Sequence, residues 1–271
     1  MISVLKARIR RLLPPDVALG VLAAAHWGPG RRGTGRRCPV CGARVRRFLQ
    51  SGYHYRVLSE LRVVGGIPRA ADECPVCRAN DRTRLLYLYL RDHTRLFDGG
   101  ARTLHIAPER AIVLKARSLP AETYICGDME PGRYLSLRPM VPLDVEALPF
   151  ADESFDLIIC NHVLEHVGDD RKAMRELWRT LKPAGRAILQ VPIAERLKET
   201  REDPCVVSPE ARGEVFGQPD HVRLYAADDY IRRLSGAGFR VQLFDVYQQD
   251  PENAFAFDVN PYERLFVCWR T

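Results

Sequence analysis

Apolar positions along this chain switch repeatedly between short continuous runs and helical spacing. Leu85, Leu86, Tyr89, Leu90 and His93 recur at helical spacing and predict an amphipathic helix over Asn80–Phe97, closed by Asp98-Gly99-Gly100. A short strand follows over Arg102–Ile106, then Ala107-Pro108-Glu109 and a helix through Ala116. Thr123–Cys126, Val141–Val145 and Phe155–Cys160 read as the next three strands, the last strongly apolar. Ala173, Leu177 and Leu181 mark the inner face of a helix over Asp169–Leu181, stopped by Lys182-Pro183-Ala184-Gly185. Arg186–Val191 reads as a fifth strand, and residues 193–223 as an irregular stretch rich in charge and proline. A helix over Ala226–Gly236 and strands over Phe239–Tyr247 and Glu263–Trp269 complete the pattern. Strands alternating with helices predict an α/β fold: a doubly wound, mostly parallel seven-stranded sheet with helices on both faces. The last two strands lack a helical pattern between them, which predicts an antiparallel edge.

With 271 residues, 46% hydrophobic and 28% charged, the chain can bury one large domain, with or without an appendage. This composition excludes a collagenous chain, a disordered tail and a mini-protein held only by disulfides. The net charge of +7 is unevenly spread. Residues 1–50 hold eleven Lys/Arg and one acid, Asp16, and the remainder nets −3. The basic character therefore belongs to the N-terminal part, and arguments from charge to partner start there. Residues 2–13 read as a basic amphipathic helix before Pro14. Such a helix suits an acidic membrane surface or nucleic acid, or docks on the body with its basic face in water. Val17–Ala25 is too short to span a bilayer, and a secretory signal would need a longer apolar core. Pro29–Arg37, rich in Gly and Arg, reads as a linker.

Four of the eight cysteines form two pairs, Cys38-Pro39-Val40-Cys41 and Cys74-Pro75-Val76-Cys77. Each tight turn aims two thiolates at one point, and two such turns complete the four ligands of a structural zinc ion. The plainer alternatives are unrelated cysteine turns or a redox pair, and the duplication disfavours the latter. The 32 residues between the pairs leave room for a hairpin or small insertion, supplied by Arg56–Gly65. The other four cysteines are scattered singly, three of them in apolar runs, as expected of a reducing, cytoplasmic compartment. The predicted organisation is residues 1–37 as basic helix and linker, 38–79 as the zinc module and 80–271 as the main body. A covering insertion occupies about 193–223 of that body.

In a doubly wound sheet, ligands bind beyond the carboxyl ends of the strands. Those ends hold His105 and Glu109, then Asp128, then Asp144, then Asn161 and His162. Carboxylates at successive strand ends suit ribose hydroxyls, because each can accept from both hydroxyls of a vicinal diol. No phosphate-cradling glycine motif is present, which weakens readings as a nucleotide hydrolase or dehydrogenase.

The block from Leu148 to Val167, Leu-Pro-Phe-Ala-Asp-Glu-Ser-Phe-Asp through Asn161-His162-Val163-Leu164-Glu165-His166-Val167, strongly resembles the class I S-adenosylmethionine-dependent methyltransferases. The likeness continues through Glu176-Leu177-Trp178-Arg179-Thr180-Leu181-Lys182-Pro183-Ala184-Gly185. The paired CPVC turns, the Arg82/Arg84/Leu85 helix, Leu104–Glu109 and Phe216–Tyr225 resemble a bacterial subgroup with a Cys-rich N-terminal module. The resemblance implies a Rossmann-like body, S-adenosylmethionine as methyl donor and a small-molecule acceptor methylated on oxygen or nitrogen. It departs at Leu104–Arg110, where the family carries an acidic, glycine-rich loop and this chain has no glycine.

The resemblance implies cofactor contacts from His105, Ala107, Glu109, Asp128, Asp144, Val145 and Asn161. Glu109 could equally be an acid complementing a helix N-terminus, and Asp128 or Asp144 a turn residue. His162 is the leading general base, or else a positioning residue. His221 is a second catalytic candidate, flanked by Asp220. His166, Asp220, Arg223 and Tyr225 are assigned to the substrate side; for His166 the plainer reading is a structural histidine. Two other functions stay open. An RNA methyltransferase would grip nucleic acid through the zinc module and basic N-terminus, although the body is net −3. A scaffold would keep the fold but have lost cofactor binding through the changed loop.

Overall fold

The computed structural model describes residues 36–133 and 138–271. The predicted N-terminal helix and nearly all of the linker lie outside the described residues. Five short strands and a helix precede the main body: β1 (Arg36–Arg37), β2 (Arg44–Val45), β3 (Leu49–Ser51), α1 (Arg56–Glu60), β4 (Val63–Val64) and β5 (Arg69–Glu73). The body holds α2 (Asp81–His93), β6 (Thr103–Ile106), α3 (Arg110–Lys115), β7 (Tyr124–Asp128), β8 (Met140–Pro142), β9 (Phe155–Cys160), α4 (Asp170–Thr180) and β10 (Leu181–Ile188). It continues with β11 (Ile193–Ala194), β12 (Arg201–Glu202), α5 (Pro209–Phe216), β13 (Arg223–Leu224), α6 (Ala227–Gly236), β14 (Phe239–Phe244), α7 (Val246–Gln249), α8 (Pro251–Ala256) and β15 (Leu265–Arg270).

Seven strands form one sheet in the order β14-β15-β10-β9-β6-β7-β8. The run β10-β9-β6-β7-β8 is parallel throughout. β9 is buried along almost its whole length, as expected of a parallel strand covered on both faces. The predicted antiparallel edge is present, because the last two strands, β14 and β15, pair antiparallel at one side of the sheet. β15 runs antiparallel between β10 and β14, so the edge strand β14 lies parallel to β10. Two short helices, each capped by an aspartate (Asp245, Asp250), fill the connection that read as unstructured. Gly127 lets β7 and the segment after β8 close up, since a Cβ there would meet Leu143 Cδ2 at 2.2 Å.

The stretch 193–223 is not irregular. Ser208 caps α5, Pro209 opens it, and Gly217 ends it in the left-handed conformation at φ 89°. Three strands of this insertion form two ribbons: β12 pairs with β13, and β11 pairs antiparallel with β4 of the N-terminal part. Val57, Leu58 and Val63 share a small core with Ala194, Phe216 and Leu224 of the insertion. The cysteine turns join the main core instead, where Cys38, Val40, Phe48, Cys74 and Cys77 pack with the apolar residues of α2. Arg84, wholly buried, ties the two parts together. Its guanidinium donates to the carbonyls of Ala79 (3.2 Å), Asp258 (2.8 Å) and Asp72, and lies 4.4 Å from the Phe48 ring centre. Among the described residues no helix is long and apolar enough to cross a membrane.

Candidate active site

Strand order reverses between β6 and β9, the point where doubly wound sheets bind ligands. A closed carboxylate–histidine cluster bridges the two strands there. His105, fully buried at the end of β6, contacts Tyr124 Oη through Nδ1 and Glu109 Oε2 through Nε2, each at 2.6 Å. Asn161, just past β9, donates to Glu109 Oε1 at 3.0 Å and accepts from the Gln190 amide at 3.2 Å. Burial would raise the Glu109 carboxyl, but the His105 charge and the two hydrogen-bond donors outweigh it and hold it down. The glycine-free loop still makes the tight turn: Ala107 adopts φ 49°, and its amide donates to the Gly127 carbonyl at 2.9 Å. A left-handed alanine is strained, so the surrounding bonds must hold it.

Next along the strand ends, Asp128 accepts from the Glu130 amide (2.7 Å) and Asp144 from the Glu146 amide (2.8 Å), both local turn bonds. Asp144 is exposed, whereas the Val145 side chain faces the core with Leu143 and Leu148. Only the backbone of Val145 remains for the adenine contact the resemblance implies.

A second cluster follows β9. His162 takes the left-handed conformation, φ 56°, and its amide donates to the Gln190 carbonyl at 2.7 Å. Its Nδ1 lies 3.2 Å from both Glu165 Oε1 and an Arg82 guanidinium nitrogen. One ring nitrogen cannot accept from Arg82 and donate to Glu165 at once, so the tautomer selects the partner. Burial, then the Arg82 charge, lowers the His162 pKa. Burial would raise Glu165, but His162, His221 and His166 bring it to about 2. His166 Nδ1 is 3.2 Å from the Asp220 carbonyl and 3.5 Å from its carboxylate. The His166 and His221 rings meet edge to face, 4.7 Å between centres. Burial lowers His221 to about 4. Its two nitrogens, with His162 Nε2 and Glu165 Oε2, are buried without hydrogen-bond partners.

The side chains of Arg223 and Tyr225, expected on the substrate side, face the protein interior. Arg223 is buried, donating to the carbonyls of Leu164 and Val167 (2.6 Å each) and Gly168 (3.0 Å), and to Glu202 at 2.7 Å. Tyr225 is fully buried and donates to Asp170 at 2.7 Å. Both are positioning residues that fix the loop carrying His162, Glu165 and His166. Sequence reasoning passed over Glu165 and Arg82 as site residues, and also Glu263, which is 2% exposed and accepts from the Gln190 side-chain amide. Burial, then the Asp81 charge, pushes Glu263 up to about 7.

A cavity of about 440 Å³ opens between the N-terminal part, the insertion and the 260–262 loop. Tyr53, Arg62, Arg69, Arg82, Glu195 and Tyr262 are among its lining residues, and Arg82 links it to His162.

The four paired cysteines come together as predicted. Cys38 and Cys77 sulfurs are 3.6 Å apart and Cys41 and Cys74 3.9 Å. A tetrahedral zinc with bonds of about 2.3 Å separates its sulfurs by about 3.8 Å, so these distances fit. The two turns are built alike. Cys38 N donates to Ala43 O (3.0 Å) and Gly42 N to Cys38 O (2.9 Å); Cys74 N donates to Ala79 O and Arg78 N to Cys74 O (2.9 Å each). Gly42 and Arg78 occupy the same left-handed position, at φ 76° and 69°. Hydrogen bonds among the thiols, with Cys38 the largest influence, bring Cys41 down to about 7.

Residues 103–189 match the methyltransferase domain family. The matched span runs from β6 past the end of β10 and contains both histidine clusters except His221. An uncharacterized methyltransferase of Bacillus subtilis, YcgJ, is 52% identical over 44 residues, 16% of this chain and 17% of that protein. The ubiquinone/menaquinone biosynthesis C-methyltransferase UbiE of Klebsiella pneumoniae is 44% identical over 62 residues, 22% of this chain and 25% of that one. The chain thus spans a quarter or less of these relatives. An S-adenosylmethionine-dependent methyltransferase structure from Mesorhizobium loti aligns at TM-score 0.46 and 15% identity, over 70% of this chain and 98% of that one. One from Archaeoglobus fulgidus gives 0.44 and 16%, over 71% and 96%.

Proposed function

We propose that the chain transfers the methyl group of S-adenosylmethionine to an oxygen or nitrogen of a small molecule. The observation that carries the reading is the cluster at the β6/β9 switch point, inside a span matching the methyltransferase domain family. Glu109, Asp128 and Asp144 stand at successive strand ends, and the two aspartates are the candidates for the ribose and adenine sides. The turn at Ala107 favours a loop that still receives a cofactor over a scaffold that has lost it. When bound, S-adenosylmethionine supplies an electrophilic methyl on its sulfonium. The chain's own work is to align the acceptor and to take its proton.

His162 is the candidate for the proton. With Nδ1–H donated to Glu165, its Nε2 carries the lone pair and the carboxylate steadies the imidazolium that forms. Arg62, Arg69 and Arg82 line the cavity, which suits a methyl acceptor that carries hydrogen-bond-accepting or anionic groups beside an apolar part. We further propose that Cys38, Cys41, Cys74 and Cys77 hold a structural zinc, which organises the cavity's N-terminal wall. The C-methyltransferase name of UbiE marks the acceptor atom as the open part of the reading.

Equilibrium dialysis of zinc-loaded protein against labelled S-adenosylmethionine tests the cofactor side. Asp128→Ala should weaken binding by at least about tenfold, the equivalent of one lost charge-assisted hydrogen bond. Unchanged affinity would remove Asp128 from the site. Metal analysis should find zinc, lost on Cys74→Ser.

A further inference from the structure

We propose that Glu165, His166 and His221 form a second metal site, for a divalent transition-metal ion of the zinc class. The three residues come from two segments, Glu165 and His166 from the loop after β9 and His221 from the turn before β13. One donor atom of each lies within 4.8 Å of the other two. Glu165 and His221 are 1% and 2% exposed. Glu165 Oε2 and both His221 nitrogens lack a hydrogen-bond partner. Protein interiors leave few polar atoms in that condition. A cation between the three side chains answers Glu165 Oε2 and one His221 nitrogen together.

The surroundings fit the same reading. The Val222 amide donates to the Glu165 carbonyl at 2.9 Å, and Arg223 holds the carbonyls on either side, so the two segments are locked before any ion arrives. Outer partners are in place for two ligands. His162 lies 3.2 Å from Glu165 Oε1, leaving Oε2 to the ion, and the Asp220 carbonyl lies 3.2 Å from His166 Nδ1. Two imidazoles and one carboxylate suit zinc and its transition-metal neighbours better than calcium or magnesium. Bonds of about 2.0–2.2 Å put two ligands roughly 3.3 Å apart, so binding draws the three side chains inward. Three protein ligands also leave a coordination position open, unlike the four-thiolate cluster. This makes His221 a ligand in place of a proton acceptor, and His166 a ligand in place of a substrate contact. The inference goes beyond methyl transfer and does not depend on it.

Zinc titration of the full chain, without S-adenosylmethionine, tests the site. The wild-type chain should take two equivalents, and His221→Ala and His166→Ala one each while keeping a cooperative thermal transition. His162→Ala should weaken the second equivalent by about 10–100-fold as an outer partner. Should a variant fail to fold, cobalt(II) on the wild-type chain decides alone. The first equivalent gives intense thiolate-to-cobalt charge transfer, and the second adds only weak visible bands. Saturation at one equivalent, or a second equivalent retained in both histidine variants, would overturn the proposal. S-adenosylmethionine binding on the same samples separates this failure from failure of the methyl-transfer reading.

Discussion

The two carboxylate–histidine clusters flanking β9 use the same residue types to opposite ends. In one, both His105 nitrogens and both Glu109 oxygens have partners, and the group bridges β6 to β9. In the other, Glu165 has a partner for one oxygen, His162 for one nitrogen and His221 for neither. A satisfied buried network stiffens the backbone around it, whereas an unsatisfied one is retained only where something else completes it. The closed cluster therefore reads as the frame of the cofactor loop, and the open one as the place where ligand, proton or metal ion arrives.

The comparison can be broken by removing what holds the open cluster in shape. Arg223→Met strips donors from three loop carbonyls and leaves Glu202 and Asp170 without that counter-charge. Arg233 still pairs both carboxylates, so the cost lies in the orphaned carbonyls: at least about 3 kcal/mol in urea unfolding, at about 1–3 for each. A loss under about 1 kcal/mol would show that the loop holds its shape without the clamp. His105→Phe attacks the closed cluster and abandons Tyr124 and Glu109. It should cost roughly 2–6 kcal/mol together, at about 1–3 for each orphaned partner.

Glu263 sharpens the contrast, because no histidine contact holds its charge. Its folded pKa of about 7 lies above the usual 4.5, so the folded state holds the proton more tightly than the unfolded one. Its contribution to stability is full below about pH 4.5 and is lost as pH rises through about 7. Glu263→Gln should remove that slope. Relative to wild type it should gain on the order of 3 kcal/mol between pH 5 and pH 8. Parallel stability curves for the two proteins would contradict the assignment. The smallest effect belongs to His221→Phe, which replaces two unpartnered nitrogens with apolar surface. In metal-free protein it should cost nothing, or add up to about 3 kcal/mol. A loss as large as that of His105→Phe would erase the distinction between the clusters.

Local chemistry was legible in the sequence where neighbours in the chain carry it. The strand Phe155–Cys160 matches to the residue, because a continuous apolar run buried on both faces has one reading. The cysteine turns were legible for a similar reason: residue type and spacing set the geometry. The insertion was not. Its helix α5 buries only Gly213 and Phe216, so no apolar stripe announced it. Arg82 escaped because its contact to His162 spans 80 positions. Arg223 and Tyr225 looked like site residues because polar side chains in a charged loop look alike, whether they face solvent or a buried carbonyl. The position of β15, one strand in from the edge, depends on tertiary pairing that periodicity does not encode.

The frame formed by His105, Glu109 and Asn161 has a function only if a cofactor meets the strand ends beside it. Calorimetric titration of the zinc-loaded wild-type chain with S-adenosylmethionine tests this most directly. The account predicts saturable binding at about one site per chain, with a negative heat-capacity change as the ligand is buried. A folded, zinc-loaded chain that binds no S-adenosylmethionine at millimolar concentration would contradict it.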